Sequence, residues 1–114
     1  MSDTCIFCKI VSNEIQGDVV YRDDQVTAFR DIQPIAPTHI LIVPNKHIES
    51  INNLEAADEA LMGNLFTIAG KLAREEGVEE SGYRLVINTG AESGQAVFHI
   101  HLHLIGGKKL RQMG

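Results

Sequence analysis

Phe98-His99-Ile100-His101-Leu102-His103-Leu104-Ile105 is the stretch whose reading decides the fold. Apolar residues alternate with histidines, the period-2 pattern of a half-buried β-strand. Successive side chains on a strand point to opposite faces with a rise of about 3.3 Å per residue. His99, His101 and His103 therefore share one face, neighbours roughly 6 to 7 Å apart. Ile100, Leu102 and Leu104 take the other, which is the natural core side. The strand is predicted to run from Val97 to Ile105. Three of the chain's five histidines stand in this row, so composition alone does not account for it.

Upstream, Val19-Val20-Tyr21, Val26-Thr27-Ala28-Phe29 and His39-Ile40-Leu41-Ile42-Val43 read as strands. Asp23-Asp24 is a turn between the first two, and Pro34 and Pro37 frame the loop before the third. Leu54, Ala57, Leu61, Leu65, Ile68 and Leu72 then recur at steps of three and four, one apolar stripe of a helix. Asn53 is its expected N-cap and Gly77 its stop. Gly63 and Gly70 inside it imply close packing against a sheet or a partner helix, because each weakens a helix by up to about 1 kcal/mol relative to alanine. Tyr83 to Asn88 supplies one more strand. Strands, one long helix, then strands predict an α+β domain whose antiparallel sheet is covered on one face by the helix.

With 114 residues, the whole chain, 1–114, is expected to be one domain. A net charge of −5 gives no electrostatic grip on nucleic acid or anionic lipid. The basic tail Lys108-Lys109-Leu110-Arg111 is expected to be a solvated terminus. No apolar run approaches the ~18 residues of a membrane span, and the first residues do not read as a secretory signal. A cytoplasmic location is the resulting expectation.

Three adjacent imidazoles cannot all be protonated cheaply, since like charges depress one another's pKa. A neutral one offers a lone pair able to attack phosphorus and form a covalent intermediate. The same spacing is also open to a three-histidine metal site and to a polar, solvated sheet face. Cys5-x-x-Cys8 has the spacing of a zinc half-site, with His47 and His99 as available completions. It is equally open to a pair of reduced, half-buried thiols.

The His-Ile-His-Leu-His-Leu-Ile motif resembles that of the histidine-triad (HIT) nucleotide-binding superfamily. The segments Ile6-Phe7-Cys8-Lys9-Ile10, Ala28-Phe29-Arg30-Asp31-Ile32, Ala36-Pro37-Thr38-His39, Gly82-Tyr83-Arg84, Gly94-Gln95-Ala96-Val97 and Gly106-Gly107 are similar to its Hint branch. This resemblance covers Ile6 to Gly107 and implies a single HIT domain. It implies a five-stranded antiparallel sheet with one long helix and a short N-terminal helix, the sheets joined across a homodimer. It further implies hydrolysis of purine nucleoside 5′-phosphoramidates, of AMP or GMP type, through a nucleotidyl-His101 intermediate. His103 would contact phosphate, and His39 and His99 would orient the pair. Asp31 would hold the ribose, and Ile6, Phe7, Ile10, Phe29 and Ile32 would clamp the base. Asn88, Gln95 and Val97 would line the phosphate and ribose. Zinc-containing bacterial members resemble the Cys5, Cys8, His47 and His99 layout, implying one structural zinc and no cofactor for the chemistry itself. Ala96 departs from the serine common at that position, which removes a hydroxyl from the leaving-group side. Two other activities stay open: a dinucleoside polyphosphate hydrolase, and a nucleotide-binding adaptor with vestigial catalysis.

Overall fold

A computed structural model describes residues 4–113. The strands are β1 (Val19–Arg22), β2 (Val26–Arg30), β3 (Thr38–Pro44), β4 (Tyr83–Val86) and β5 (Leu102–Gly106). They form one antiparallel sheet in the order β1-β2-β3-β5-β4, so the last strand inserts between β3 and β4. Two helices flank the sheet: a short α1 (Ile6–Val11) and a long α2 (Glu59–Glu75). The α+β expectation is met.

Alternation along the strands divides the molecule into two apolar layers. One face carries Val26, Ala28, Ile40, Ile42, Leu102 and Leu104 against Leu65, Ile68, Ala69 and Leu72 of α2. Several of these side chains are wholly excluded from solvent, and each valine, leucine or isoleucine among them contributes about 1.5–3 kcal/mol by burial. The opposite face carries Phe29, Leu41 and Val43, and onto it Phe7 and Ile10 of α1 pack. His39 and His103 lie on this second face, the former opposite Ile105 and the latter opposite Leu41.

Three predicted boundaries move, the first being the strand expected over Tyr83 to Asn88, which stops at Val86. The helix starts at Glu59, not after Asn53, because two 3-10 turns, Ile51–Asn53 and Ala56–Asp58, precede it. Asp58 pins this entry: its buried carboxylate accepts from Lys46 Nζ at 2.7 Å and from the Glu55 N–H at 3.0 Å. Asn53 is not the N-cap; its side chain accepts a bond from Ser50 Oγ. At the other end Gly77 does close the helix, with φ +77°. Among the described residues no group crowds Gly63 or Gly70, so packing between these residues does not explain them.

The histidine strand also begins later than predicted, at Leu102 and not at Val97. Pro44 stands where the β3 partner of an earlier segment would be, and it has no N–H to donate. Its carbonyl is taken by the His99 ring at 2.8 Å, while the Ile100 N–H goes to the Ile48 carbonyl at 2.7 Å. The side-chain alternation survives the loss of the ladder: Ile100, Leu102 and Leu104 remain in the core. No helix among the described residues is long and apolar enough to cross a membrane.

Candidate active site

The partners of each imidazole fix where its proton sits. A carbonyl oxygen only accepts, so His101 Nδ1 carries a hydrogen and donates it to the His99 carbonyl at 2.8 Å. His101 Nε2 then holds the lone pair, and no described residue bonds to it. The Ile35 N–H donates to His39 Nδ1 at 3.2 Å, which places the His39 proton on Nε2. From there it is donated to His103 Nδ1 at 2.9 Å, with the Asp31 carboxylate 3.4 Å away. Accepting at Nδ1 puts the His103 proton on Nε2, and that atom is buried with no partner. A nitrogen lone pair on His101 therefore stands beside an unspent N–H on His103, the rings 4.9 Å apart between centroids. A buried donor left unmatched costs about 1–3 kcal/mol, and an arriving anionic oxygen recovers it.

Burial keeps these rings neutral. It holds His39 and His101 below the usual histidine range, and it pushes His103 down to about 4 with further repulsion from His101 and His39. The Asp31 carboxylate opposes the shift at His39. Like-charge repulsion, the cause expected from the spacing, is real but secondary to desolvation.

His99 points elsewhere. Its ring donates through Nε2 to the Pro44 carbonyl, which leaves Nδ1 facing Cys5 Sγ at 3.4 Å, Cys8 Sγ at 3.5 Å and His47 Nδ1 at 3.2 Å. Cys8 Sγ lies 3.3 Å from His47 Nδ1. The three alternating histidines thus do not converge on one metal. His99 meets His101 through its main chain and the cysteines through its ring. The Cys5, Cys8, His47 and His99 donors all lie within 4.8 Å of one another and could hold a metal ion. Zinc bonds of about 2.3 Å to sulfur and 2.0–2.1 Å to nitrogen give tetrahedral edges of about 3.3 Å (N–N) and 3.6 Å (N–S). The measured edges fit that figure. Burial pushes the His99 ring down to about 4, so its ligand nitrogen is free of a proton.

The remaining expected residues divide by exposure. Phe7 is buried, its ring edge-on to His101 at 5.0 Å and to Phe29 at 5.2 Å. Ile10 and Phe29 are buried with it, while Ile6 is 43% and Ile32 92% exposed, open to a ligand. Asp31 caps the end of β2, one oxygen accepting from the Gln33 N–H at 2.9 Å. Val97 and Asn88 are half-buried, Val97 two residues ahead of His99 and Asn88 two beyond the end of β4. Gln95 is turned inward: its amide accepts from the Gly90 N–H and donates to the Glu49 and Val97 carbonyls, so it braces the loop. Ala96 is exposed and brings no hydroxyl. The Thr89 hydroxyl, buried without a partner, is a group that sequence reasoning missed, and no motif marks it.

A five-stranded sheet that stacks a proton-fixed pair of imidazoles against a diagonal histidine on the next strand defines a histidine-triad protein. The chain belongs to the HIT domain family, whose model matches residues 12–110. It is 52% identical over 113 residues to the purine nucleoside phosphoramidase of Escherichia coli (strain K12), covering 99% of this chain and 95% of that one. Among solved structures, a HIT family hydrolase from Legionella pneumophila Philadelphia 1 superimposes with a TM-score of 0.93 at 51% identity, covering 95% of this chain and 96% of that one. A histidine triad protein from Clostridium difficile gives a TM-score of 0.95 at 39% identity, covering 100% and 99%.

Proposed function

We propose that this chain hydrolyses purine nucleoside 5′-phosphoramidates to a nucleoside monophosphate and an amine. The observation that carries the reading is the His101 Nδ1–H held on the His99 carbonyl, which leaves Nε2 as a nucleophile beside the unspent His103 N–H. Similarity to a purine nucleoside phosphoramidase across 95% of that protein's length supports the substrate class.

His101 Nε2 attacks the α-phosphorus, a P–N bond forms to the ring and the P–N bond to the amine breaks. Positive charge develops on the His101 ring, and its Nδ1–H bond to the His99 carbonyl strengthens as it does. The His103 N–H donates to a non-bridging phosphate oxygen, and His39 and Asp31 hold that tautomer. The departing nitrogen takes one proton; with alanine at position 96, water supplies it across the exposed loop. The hydroxide left by that proton transfer then attacks phosphorus and breaks its bond to Nε2, which regains its lone pair. The exposed Ile32 and Ile6 flank the purine with Phe29 and Ile10 as floor, Phe7 supports that floor and His101, and the Asp31 carboxylate, held by the Gln33 N–H and facing His39, meets the ribose through its remaining lone pairs. Asn88 and Val97 line the phosphate, over a loop braced by Gln95.

Cys5, Cys8, His47 and His99 would hold a structural zinc ion. Its chemistry is to fix α1, and with it Phe7, against the sheet; the reaction steps need no metal. The whole chain acts as one HIT domain and pairs as a homodimer. In support, β4 is an edge strand with Tyr83 exposed, and Phe66 lies 47% exposed on α2 between Gly63 and Gly70.

The test is AMP release from adenosine 5′-phosphoramidate by the parent and by His101→Ala. Release that collapses in a folded, AMP-binding variant supports the covalent route. A folded, AMP-binding parent that releases nothing would sink the reading.

A further inference from the structure

Cys5 and Cys8 stand at the two ends of one helical turn. Cys5 is the N-cap of α1, the Lys9 N–H closes the turn on its carbonyl at 3.1 Å, and its sulfur accepts the Cys8 N–H at 3.3 Å. Helical residues three apart have Cα atoms about 5 Å apart, inside the span of roughly 4.4–6.8 Å that a disulfide bridges. The two sulfurs lie within 4.8 Å of one another, and both residues are thiols in the structure. Rotation about the Cα–Cβ bonds is enough to join them.

A metal ion and a disulfide are exclusive occupants of this pair. Two zinc–sulfur bonds of about 2.3 Å hold tetrahedral sulfurs about 3.8 Å apart, whereas a disulfide draws them to about 2.05 Å and leaves no thiolate to donate. The two states also restrain the chain differently. A metal ties Cys8 to His47 and His99, 39 and 91 positions away. A disulfide closes a loop within the first turn of α1 and ties that turn to nothing else. Stabilisation by a cross-link shrinks with the loop it closes, so the bond recovers little of what the long-range clamp supplies.

Access decides which thiol reacts first. Cys5 is 7% exposed, while Cys8 is half-buried and lines a hollow of about 370 Å³ with Val11, Asn45 and His47. A second hollow, of about 340 Å³, reaches Cys5 between Ile6, Glu49 and Phe98. Neither sulfur is sealed beneath the core, as an inert structural thiol would be.

We infer that Cys5 and Cys8 form a reversible disulfide site, closed by a low-molecular-weight disulfide, whose closure expels the metal ion and frees α1. The Cys8 thiolate attacks one sulfur of oxidised glutathione, and one glutathione thiolate leaves. Cys5 then attacks Cys8 Sγ, the second glutathione thiolate leaves, and solvent protonates both. The protein gives up two electrons, the glutathione disulfide takes them, and zinc departs as the divalent ion. Between the two cysteines lies Phe7, edge-on to His99 at 6.0 Å and to His101 at 5.0 Å, so freeing α1 reaches the base clamp and the nucleophile. The inference rests on the zinc reading above, and its effect on nucleotide rests on the base-clamp reading.

The experiment incubates zinc-loaded protein with oxidised glutathione and treats metal-free, reduced protein alongside. Zinc content is measured before the oxidant is added, so a failure of the zinc reading shows on its own. Closure is expected to abolish both titratable thiols, to lower the intact mass by two hydrogens and to release one zinc per chain. Dithiothreitol with zinc should reverse all three. The closed protein should melt below the zinc-loaded one and near the metal-free, reduced chain, the reverse of the rise that a stabilising disulfide gives. Its affinity for AMP should fall about fivefold. A lasting glutathione adduct, a bond to a second chain, zinc retained on the closed protein or an unlowered melting temperature overturns the inference. Closure confined to the metal-free chain overturns it too, because the metal is then not expelled. An unchanged affinity for AMP overturns the base-clamp reading alone.

Discussion

Replacing His39 tests whether the proton arrangement at His103 is set from outside that ring. His39 is buried, accepts from the Ile35 N–H and donates to His103 Nδ1 at 2.9 Å. His39→Leu fills the space without a donor, so His103 Nδ1 is left buried and unmatched. An unmatched buried group costs about 1–3 kcal/mol, and the cheapest relief is to move the His103 proton from Nε2 to Nδ1, toward the nearby Asp31 carboxylate, which takes it away from the phosphate. Taking about 1.5–2 kcal/mol as the cost of restoring the productive tautomer, kcat should fall by about 10- to 30-fold. That is well short of the loss of roughly 10² to 10³ expected when a phosphate-directed donor is removed outright, as in His103→Ala. His39→Gln places an amide N–H near the position of the imidazole Nε2–H and should recover most of the rate. AMP release at saturating substrate gives kcat, and nitrogen-15 spectra of the imidazoles report the His103 tautomer directly. If His39→Gln falls as far as His39→Leu, the ring is needed for something other than donation to His103. If neither falls, the relay has no part in turnover. Either result refutes the reasoning.

Three further expectations concern stability. Arg30 makes a bidentate pair with Glu76 at 2.9 and 2.8 Å, and Thr38 Oγ1 adds a third bond, tying the end of α2 to β2 and β3. Glu76→Gln should therefore lower stability by about 1–2 kcal/mol, seen as a Tm fall of several degrees. The Arg30 guanidinium holds the Glu76 carboxyl below its ordinary value of 4.5, so its contribution is present above that pH and fades as pH falls. Burial drives His103 from 6.5 to about 4, so the unfolded chain binds a proton in this interval that the folded one refuses. Unfolding free energy should decline from pH 6.5 toward 4, and His103→Gln should flatten that decline in denaturant titrations; an equally steep slope in the variant would count against it. Removing metal by chelation, or by Cys8→Ser, should lower Tm and abolish a one-to-one zinc content measured by atomic emission. A metal-free parent melting at the same temperature as the loaded one would contradict the structural role.

The alternation of His99 to Ile105 was legible because its core face is written in Ile100, Leu102 and Leu104, and burial fixes a strand's faces even where its ladder is broken. What the pattern could not convey is the break itself, which depends on Pro44 lying across from the segment. The helix start was misread because Leu54 and Ala57 continue the apolar spacing of α2 while the chain around them runs in 3-10 turns held by Asp58. His47 was visible only as a completion of the cysteine pair; nothing local distinguishes it. Gln95 reads as a polar residue near phosphate, yet its amide is spent on three main-chain groups, a commitment that depends on Glu49, far off in sequence. The basic tail is exposed as expected; only its course, set by the left-handed turn at Gly107 and by the Arg84 bond to the Arg111 carbonyl, was not legible.

The strand order β1-β2-β3-β5-β4 has a consequence during synthesis. Until Leu102 to Gly106 leave the ribosome, β3 and β4 each present an unpaired edge, and the gap between them has no filler. Cys5 emerges 94 positions ahead of its partner His99. The first helix can lay Phe7 and Ile10 on Phe29, Leu41 and Val43 well before that, but the contact between Cys5 and His99 closes only when the last strand arrives. A truncated product therefore has neither a closed sheet nor an assembled set of imidazoles. Insertion of the fifth strand completes both together, so the nucleophile comes into being only in a finished molecule.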